Sequence, residues 1–255
     1  MYIDSHCHIN DPLYKENVDV YVKEAIFNNV QILLCIGYDL DSSKIAVEIA
    51  SKYPEVYSAV GISPQEVKNA KERDLEEIEK ILSNEKVICV GEIGLDYYYE
   101  KDVETRNIQY DYFIKQIALA NKYHKFISVH CRDAYKDCFT VLKNHKVLKK
   151  GIIHCYSGSL EMAREFIKLG YFLGIGGVCT FKNAIKIKDV VKNVSLENIV
   201  LETDAPYLTP VPHRGEPNHS KYIPLIALEV GTLKNKSIEE VEEVTSQNFL
   251  NLLNK

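Results

Sequence analysis

The sequence predicts an α/β chain folded as one (β/α)8 barrel, a TIM barrel, with residues 1–255 forming a single domain. Three observations predict it. Eight short apolar runs rich in β-branched residues alternate with longer segments of helical periodicity, the pattern of parallel strands joined by helical crossovers. The 255 residues are 46% hydrophobic, enough for one large core at a length usual for such barrels. The first strand ends in His6-Cys7-His8, where an open doubly wound sheet would typically carry a glycine-rich phosphate turn.

The strand candidates are residues 2–8, 31–37, 56–63, 87–96, 126–131, 151–156, 171–178 and 198–206. The clearest helical segment is 104–122, with Tyr110, Phe113, Ile114 and Ile117 on one stripe and Glu104, Asp111, Lys115 and Lys122 away from it. Residues 42–52, 74–82, 134–148, 160–169 and 182–191 read as further helices. Asp41 and Ser159 are the expected N-caps of two of these. The tail, 223–253, reads as two closing helices, the second capped by Ser237. Neither a Pro/Gly-rich linker nor a low-complexity segment interrupts the pattern.

Composition narrows the function classes. The net charge of −5 argues against indiscriminate wrapping of DNA, so any contact with nucleic acid has to rest on a local positive patch and on bound cations. The 7 cysteines include no CxxC pair and read as reduced thiols in a cytoplasmic compartment. Strand alternation is expected to point Cys7 and Cys155 away from the reactive face. A secretory leader is not expected, nor is a membrane span, since no apolar stretch approaches about 18 residues. The sequence signals no obligate protein partner.

Barrel enzymes build their active sites at the C-terminal ends of the strands. There this chain repeatedly places His, Glu or Asp after an apolar run: His6 and His8, Glu92, His130, His154, and Glu202 with Asp204. His6 and His8 stand two residues apart on a strand, so both project from one face about 7 Å apart. Four histidines with at least two carboxylates exceed the need of one tetrahedral metal. They suit two divalent ions sharing a carboxylate. His6, His8, Glu92 and Asp204 are assigned to one ion, and Glu92, His130 and His154 to the other. Asp204 is placed to take a proton from water, and Glu202, of the same parity, to orient a ligand or touch the metal. Asp4 lies deeper on the same face and suits support of an imidazole N–H. Imidazole donors favour zinc or manganese; magnesium can serve in a wetter second position.

The segments DSHCHIN, VGEIGLDYYY, SVHCRDA, HCYSGS, GIGGVCTFKN and ETDAPYLTP resemble the TatD-like deoxyribonucleases of the metal-dependent amidohydrolase superfamily, over essentially the whole chain. The resemblance implies a barrel with a divalent metal site that hydrolyses DNA phosphodiesters, often from an end. It assigns ligand roles to His6, His8, Glu92, His130, His154 and Asp204. The chain departs from the family after the third strand. Gly-x-His-Pro-His is usual there, whereas this chain has Gly61-Ile62-Ser63-Pro64-Gln65. Ser63 can hydrogen-bond a phosphate but brings no positive charge. A second departure follows Arg214-Gly215, where Asn218-His219-Ser220 replaces the family's Asn-Glu-Pro.

Arg132 is the first candidate for gripping a phosphate, because a guanidinium fork matches phosphate oxygens. Arg214 is the second, and Tyr97, followed by Tyr98 and Tyr99, offers a ring for an unpaired base. The expected substrate is therefore DNA, as a single strand or at its ends. Two other readings compete: a hydrolase of a small ester, lactone, amide or phosphotriester, and a non-catalytic binding member of the family.

Overall fold

In the computed structural model, which describes residues 1–254, eight parallel strands follow one another around a single sheet in sequence order. They are β1 (Tyr2–Cys7), β2 (Val30–Ile36), β3 (Val56–Val60), β4 (Val87–Asp96), β5 (Phe126–Arg132), β6 (Gly151–Ile153), β7 (Phe172–Ile175) and β8 (Ile199–Leu201). The seam between the last strand and the first is closed by single backbone bonds. The Asp204 N–H donates to the His6 carbonyl at 2.9 Å, and the His8 N–H to that of Ala205 at 2.8 Å. The barrel predicted from sequence is the observed fold.

The crossover helices are α1 (Val18–Phe27), α2 (Leu40–Lys52), α3 (Glu72–Ile81), α4 (Val103–Lys122), α5 (Tyr135–Asn144), α6 (Leu160–Lys168) and α7 (Ile185–Asn193). Two more, α8 (Ile223–Lys234) and α9 (Ile238–Asn254), close the chain. Helix α1 is absent from the sequence reading; its Val18, Val20 and Val22 look like a strand out of context. Ser159 caps α6 as expected, and Ser237 takes the N–H of Glu240 in α9. The cap of α2 is Asp39 rather than Asp41. Asp39 accepts the Ser42 N–H at 2.7 Å while Ser42 Oγ accepts the Asp39 N–H at 2.9 Å, a reciprocal box that Asp41 lies too far along the helix to make.

Strands β6 and β8 stop earlier than the sequence suggests. Cys155 (φ 44°) and Asp204 (φ 56°) adopt left-handed backbone, which ends extended pairing just beyond Ile153 and Leu201. That break aims the residues after each strand in directions that simple alternation does not give.

Two apolar layers hold the barrel. Ile3, Leu34, Ile36, Ala59, Cys89, Phe126, Ile152 and Val200 fill its interior, and Phe249 and Leu252 of α9 pack against this layer. A larger layer lies between strands and helices. The face that α4 buries differs from the expected stripe. It carries Thr105, Gln109, Phe113, Gln116, Ile117 and Ala120, leaving Tyr110 and Ile114 half-buried. The two buried glutamines bond loop backbone at the mouth. Gln116 exchanges bonds of 2.7 and 2.9 Å with the N–H and C=O of Ile62. Gln109 donates to the Pro64 carbonyl at 2.9 Å and accepts the Asp96 N–H at 3.1 Å. The chain after β3 is thereby tied to the end of β4. Among the described residues no helix is long and apolar enough to cross a membrane.

Candidate active site

The strand ends open into a cavity of about 790 Å³ lined by His8, Glu92, His130, His154 and Asp204. His6 lies beneath, fully buried, its ring stacked on that of His154 at 3.9 Å. Parallel strands in register bring these groups together from five places in the chain. Gly94 is paired with His130 across β4 and β5, and any Cβ at Gly94 would lie 2.0 Å from the His130 carbonyl oxygen. Only glycine fits there, at φ 142°.

Two half-sites share Glu92. In one, His6 Nε2 and His8 Nε2 lie 3.3 Å apart, with Asp204 Oδ1 at 3.7 and 3.4 Å from them. The His8 Nδ1 faces the Ile36 carbonyl at 3.0 Å, so Nδ1 carries the proton and Nε2 turns a lone pair into the site. In the other, Glu92 Oε1 lies 2.6 Å from His130 Nδ1 and 2.9 Å from His154 Nε2, and those nitrogens are 3.3 Å apart. Lone pairs and carboxylate oxygens crowded this closely repel one another unless protons or cations lie between them. The ligand atoms of His6, His8 and Glu92, and those of Glu92, His130 and His154, each fall within 4.8 Å of one another, a spacing that suits a divalent ion. The donor set therefore fits metal in both halves.

The electrostatics agree. Burial opposes charge on Glu92, but His154 and His130 hold its carboxyl well below the usual range. Burial also opposes charge on His130. Hydrogen bonds to Asp96 and Glu92 outweigh it and raise the imidazolium to about 10. Burial, with His154 and His8 alongside, holds His6 well below its ordinary value and so neutral. On His8 burial is outweighed by the bond and charge of Asp204, which raise it. The site thus keeps histidines where a cation would take the place of protons.

The supporting groups behind these ligands were only partly visible in the sequence. His130 Nε2 donates to Asp96 Oδ2 at 2.9 Å, fixing the ring so that Nδ1 faces Glu92. Asp96 Oδ1 accepts the N–H groups of Tyr98 and Tyr99, and Gln65 Nε2 donates to Oδ2 at 3.0 Å. Asp96 was missed, although its parity with Glu92 on β4 is a usable signal. Gln65 and Gln109 carry no such signal. Asp4 is buried among four donors, from Ser220, Thr203 (twice) and the His6 N–H, so it supports the main chain of both closing strands and no imidazole.

The other expected residues fall in different places. Arg132 and Ser63 line the cavity. The Arg132 guanidinium lies 3.9 Å over the ring of Tyr98 and makes no hydrogen bond or ion pair among the described residues. Tyr97 is turned from the cavity: its hydroxyl donates to Asp137 at 2.9 Å and Arg106 covers its ring, while Tyr99 lines the cavity in its stead. Arg214 stacks on Phe181 at 3.7 Å, away from the cavity lining. Glu202 is wholly buried behind His154. It accepts the Cys155 N–H at 2.5 Å and stands 3.8 Å from His154 Nδ1, and it does not line the cavity. Burial and Asp204 push its carboxyl well above the usual range. Cys7 points away as expected, its thiol on the Leu34 carbonyl, but Cys155 lines the cavity because its left-handed backbone breaks the alternation.

A barrel whose strand ends gather four histidines and two carboxylates around one cavity defines a metal-dependent hydrolase. Comparison with known proteins identifies which. Residues 3–254 match the family model described as TatD related DNase, and the chain belongs to the TatD family. It is 36% identical to the uncharacterized metal-dependent hydrolase YabD of Bacillus subtilis, over 97% of each chain. It is 32% identical to the uncharacterized metal-dependent hydrolase YcfH of Escherichia coli, over 98% of this chain and 94% of that one. The crystal structure of YjjV, a TatD homologue from Escherichia coli, superposes with a TM-score of 0.94 at 28% identity, over 100% of this chain and 98% of its own.

Proposed function

We propose that the protein hydrolyses phosphodiester bonds of DNA, working at single-stranded ends, with His6, His8, Glu92 and Asp204 holding one divalent cation and Glu92, His130 and His154 a second. The observation that carries this reading is the free guanidinium of Arg132 in the same cavity as the ligand set. Cations bound there, zinc or manganese by donor type and magnesium in the wetter half, supply charge on the reacting phosphate and water of lowered pKa. Arg132, already pinned on Tyr98 with its N–H groups unspent, grips a non-bridging phosphate oxygen. Asp204 lines the cavity and receives the proton of the attacking water. Tyr99 presents a ring on which an unpaired base stacks, and Ser63, which also lines the cavity, donates a hydrogen bond to the substrate. Glu202 acts indirectly, as the carboxyl behind His154.

The test is cleavage of 5′- and 3′-labelled single-stranded DNA with and without chelator. We expect metal-dependent shortening from one end, lost with chelator and reduced at least 100-fold in Asp204→Asn. Asparagine tolerates the left-handed backbone at this position, so the variant isolates the carboxylate. A second reading, hydrolysis of a small ester, lactone, amide or phosphotriester, draws on Ser63 and Gln65, which leave the wall after β3 without a cation. Turnover of such esters far above that of DNA would establish it over the first.

A further inference from the structure

Tyr207 is a bare aromatic ring on a fastened backbone. Its N–H donates to the Asp204 carbonyl at 2.9 Å, and its own carbonyl accepts Asn218 Nδ2 at 2.6 Å. Asn218 is fully buried and donates also to the Thr203 carbonyl at 2.7 Å, so it ties the Tyr207 loop to the end of β8. The side chain held in this way is 57% exposed and lines the cavity. Among the described residues its ring meets no other ring and no cation, and its hydroxyl has no hydrogen-bond partner. A ring fixed at both backbone groups and free on its faces is a preorganised contact surface.

The order of the strands places this ring relative to Tyr99. The eight strands follow one another around the barrel and close between β8 and β1, so β4 and β8 stand four strands apart in either direction. Tyr99 follows β4 and Tyr207 follows β8, and both line the cavity. Tyr99 is 60% exposed and also fastened, its N–H on Asp96 Oδ1 at 3.0 Å. The ligand set spans the same diameter, with Glu92 on β4 and Asp204 just beyond β8. We infer that Tyr207 is a second stacking platform for a nucleobase, across the ligand set from Tyr99, so that the enzyme holds its substrate by two bases, one on each side of the bond it cleaves. The inference rests on the phosphodiester reading above and adds the two-nucleotide unit that the site takes.

The rest of the lining agrees. Val178 and Leu208, from the chain after β7 and β8, add apolar surface to the cavity. Arg132 lies 5.0 Å from the ring of Tyr99, where a phosphate and a stacked base can be held together. The cavity, about 790 Å³, is at the large end of the range for one small ligand, roughly 300–1,000 Å³. Every base has a π-face, so neither platform need select a sequence.

The test uses a thymidine dinucleotide joined through a phosphinate, which keeps the negative charge and has two P–C bonds that a hydrolase does not cleave. Two counterparts each lack one thymine. Affinity for the zinc-loaded enzyme is measured by calorimetry. We expect each counterpart to bind about tenfold more weakly than the full dinucleotide, within the effect of one stacked base. Tyr207→Ala should weaken the full dinucleotide about tenfold and leave one counterpart unaffected; Tyr99→Ala should do the same with the other counterpart. Tyr207→Phe should bind as the unaltered enzyme does, since the ring and not the hydroxyl makes the contact. A counterpart that binds as tightly as the full dinucleotide overturns the inference, as does an unchanged affinity in Tyr207→Ala or a loss in Tyr207→Phe. It falls too if both alanine variants are insensitive to loss of the same thymine, because the two rings would then hold one base. Cleavage of the ordinary phosphodiester dinucleotide is measured separately. If it is not cleaved, the phosphodiester reading falls, while the phosphinate affinities, read without turnover, still decide whether two bases are held.

Discussion

His130 links the charge of the site to its metal chemistry. Without metal its imidazolium is raised to about 10 between Asp96 and Glu92, against about 6.5 in an unfolded chain. The charged form is favoured by folding. Its contribution to stability is complete below about pH 6.5 and is lost as pH rises through about 10. A cation on Nδ1 must displace a proton, so metal uptake at pH 7 should release about one proton from this residue, and apparent affinity should rise with pH. Calorimetry in buffers of different ionisation heat measures the release, and a binding heat independent of buffer would contradict it. Asp96→Asn should weaken binding of the cation proposed for Glu92, His130 and His154 by about 10- to 100-fold, because the carboxylate that orients the ring is gone. Metal retained after dialysis reads this directly, and full retention would remove Asp96 from the site.

At the scale of elements, close approach and capping decide the geometry. A Cβ at Gly174 in β7 would stand 2.1 Å from Glu202 Oε2 and 3.1 Å from the His154 Cα. Gly174→Ala should cost about 1–3 kcal/mol and displace Glu202 against His154. A urea midpoint equal to that of the unaltered protein would show that the barrel yields there more easily than its packing implies. Asp39→Ala removes half of the capping box of α2 and should cost about 1 kcal/mol, with little effect on metal content. The strands and the longer helices were legible in the sequence because their periodicity is local. The face of α4 was not. Spacing alone does not mark Gln109 and Gln116 as buried; their partners Ile62, Pro64 and Asp96 come from other segments of the chain.

For the whole molecule, the closing helix matters beyond its own contacts. Phe249 and Leu252 of α9 pack on the interior layer of the barrel, and Phe249 meets Phe126 edge-to-face at 5.9 Å. Asn248 Nδ2 binds the carbonyls of Leu196 and Ile199 beside β8. Phe249→Ala should therefore cost about 3–5 kcal/mol and lower the thermal midpoint by several degrees. Wild-type stability in that variant would mean that the interior layer stands without the helix. The seam between β1 and β8 depends on few backbone bonds, and His6, His8 and Asp204 all lie on it. A loosened barrel should lose the cluster of His6, His8 and Asp204 before that of Glu92, His130 and His154.

The sequence by itself determined the barrel and the six residues gathered at its mouth. Both follow from local rules: strands alternate with helices, and a strand ending in His, Glu or Asp delivers that group to one rim. The tertiary structure alone decided what stands behind and beside those residues. It put Asp96 on His130, Glu202 behind His154, Tyr99 rather than Tyr97 in the cavity, and Gln65 on Asp96. These outcomes depend on loops that leave regular alternation at left-handed residues and on helix faces that meet distant backbone. Such pairings are set by packing in space, which spacing along the chain does not encode.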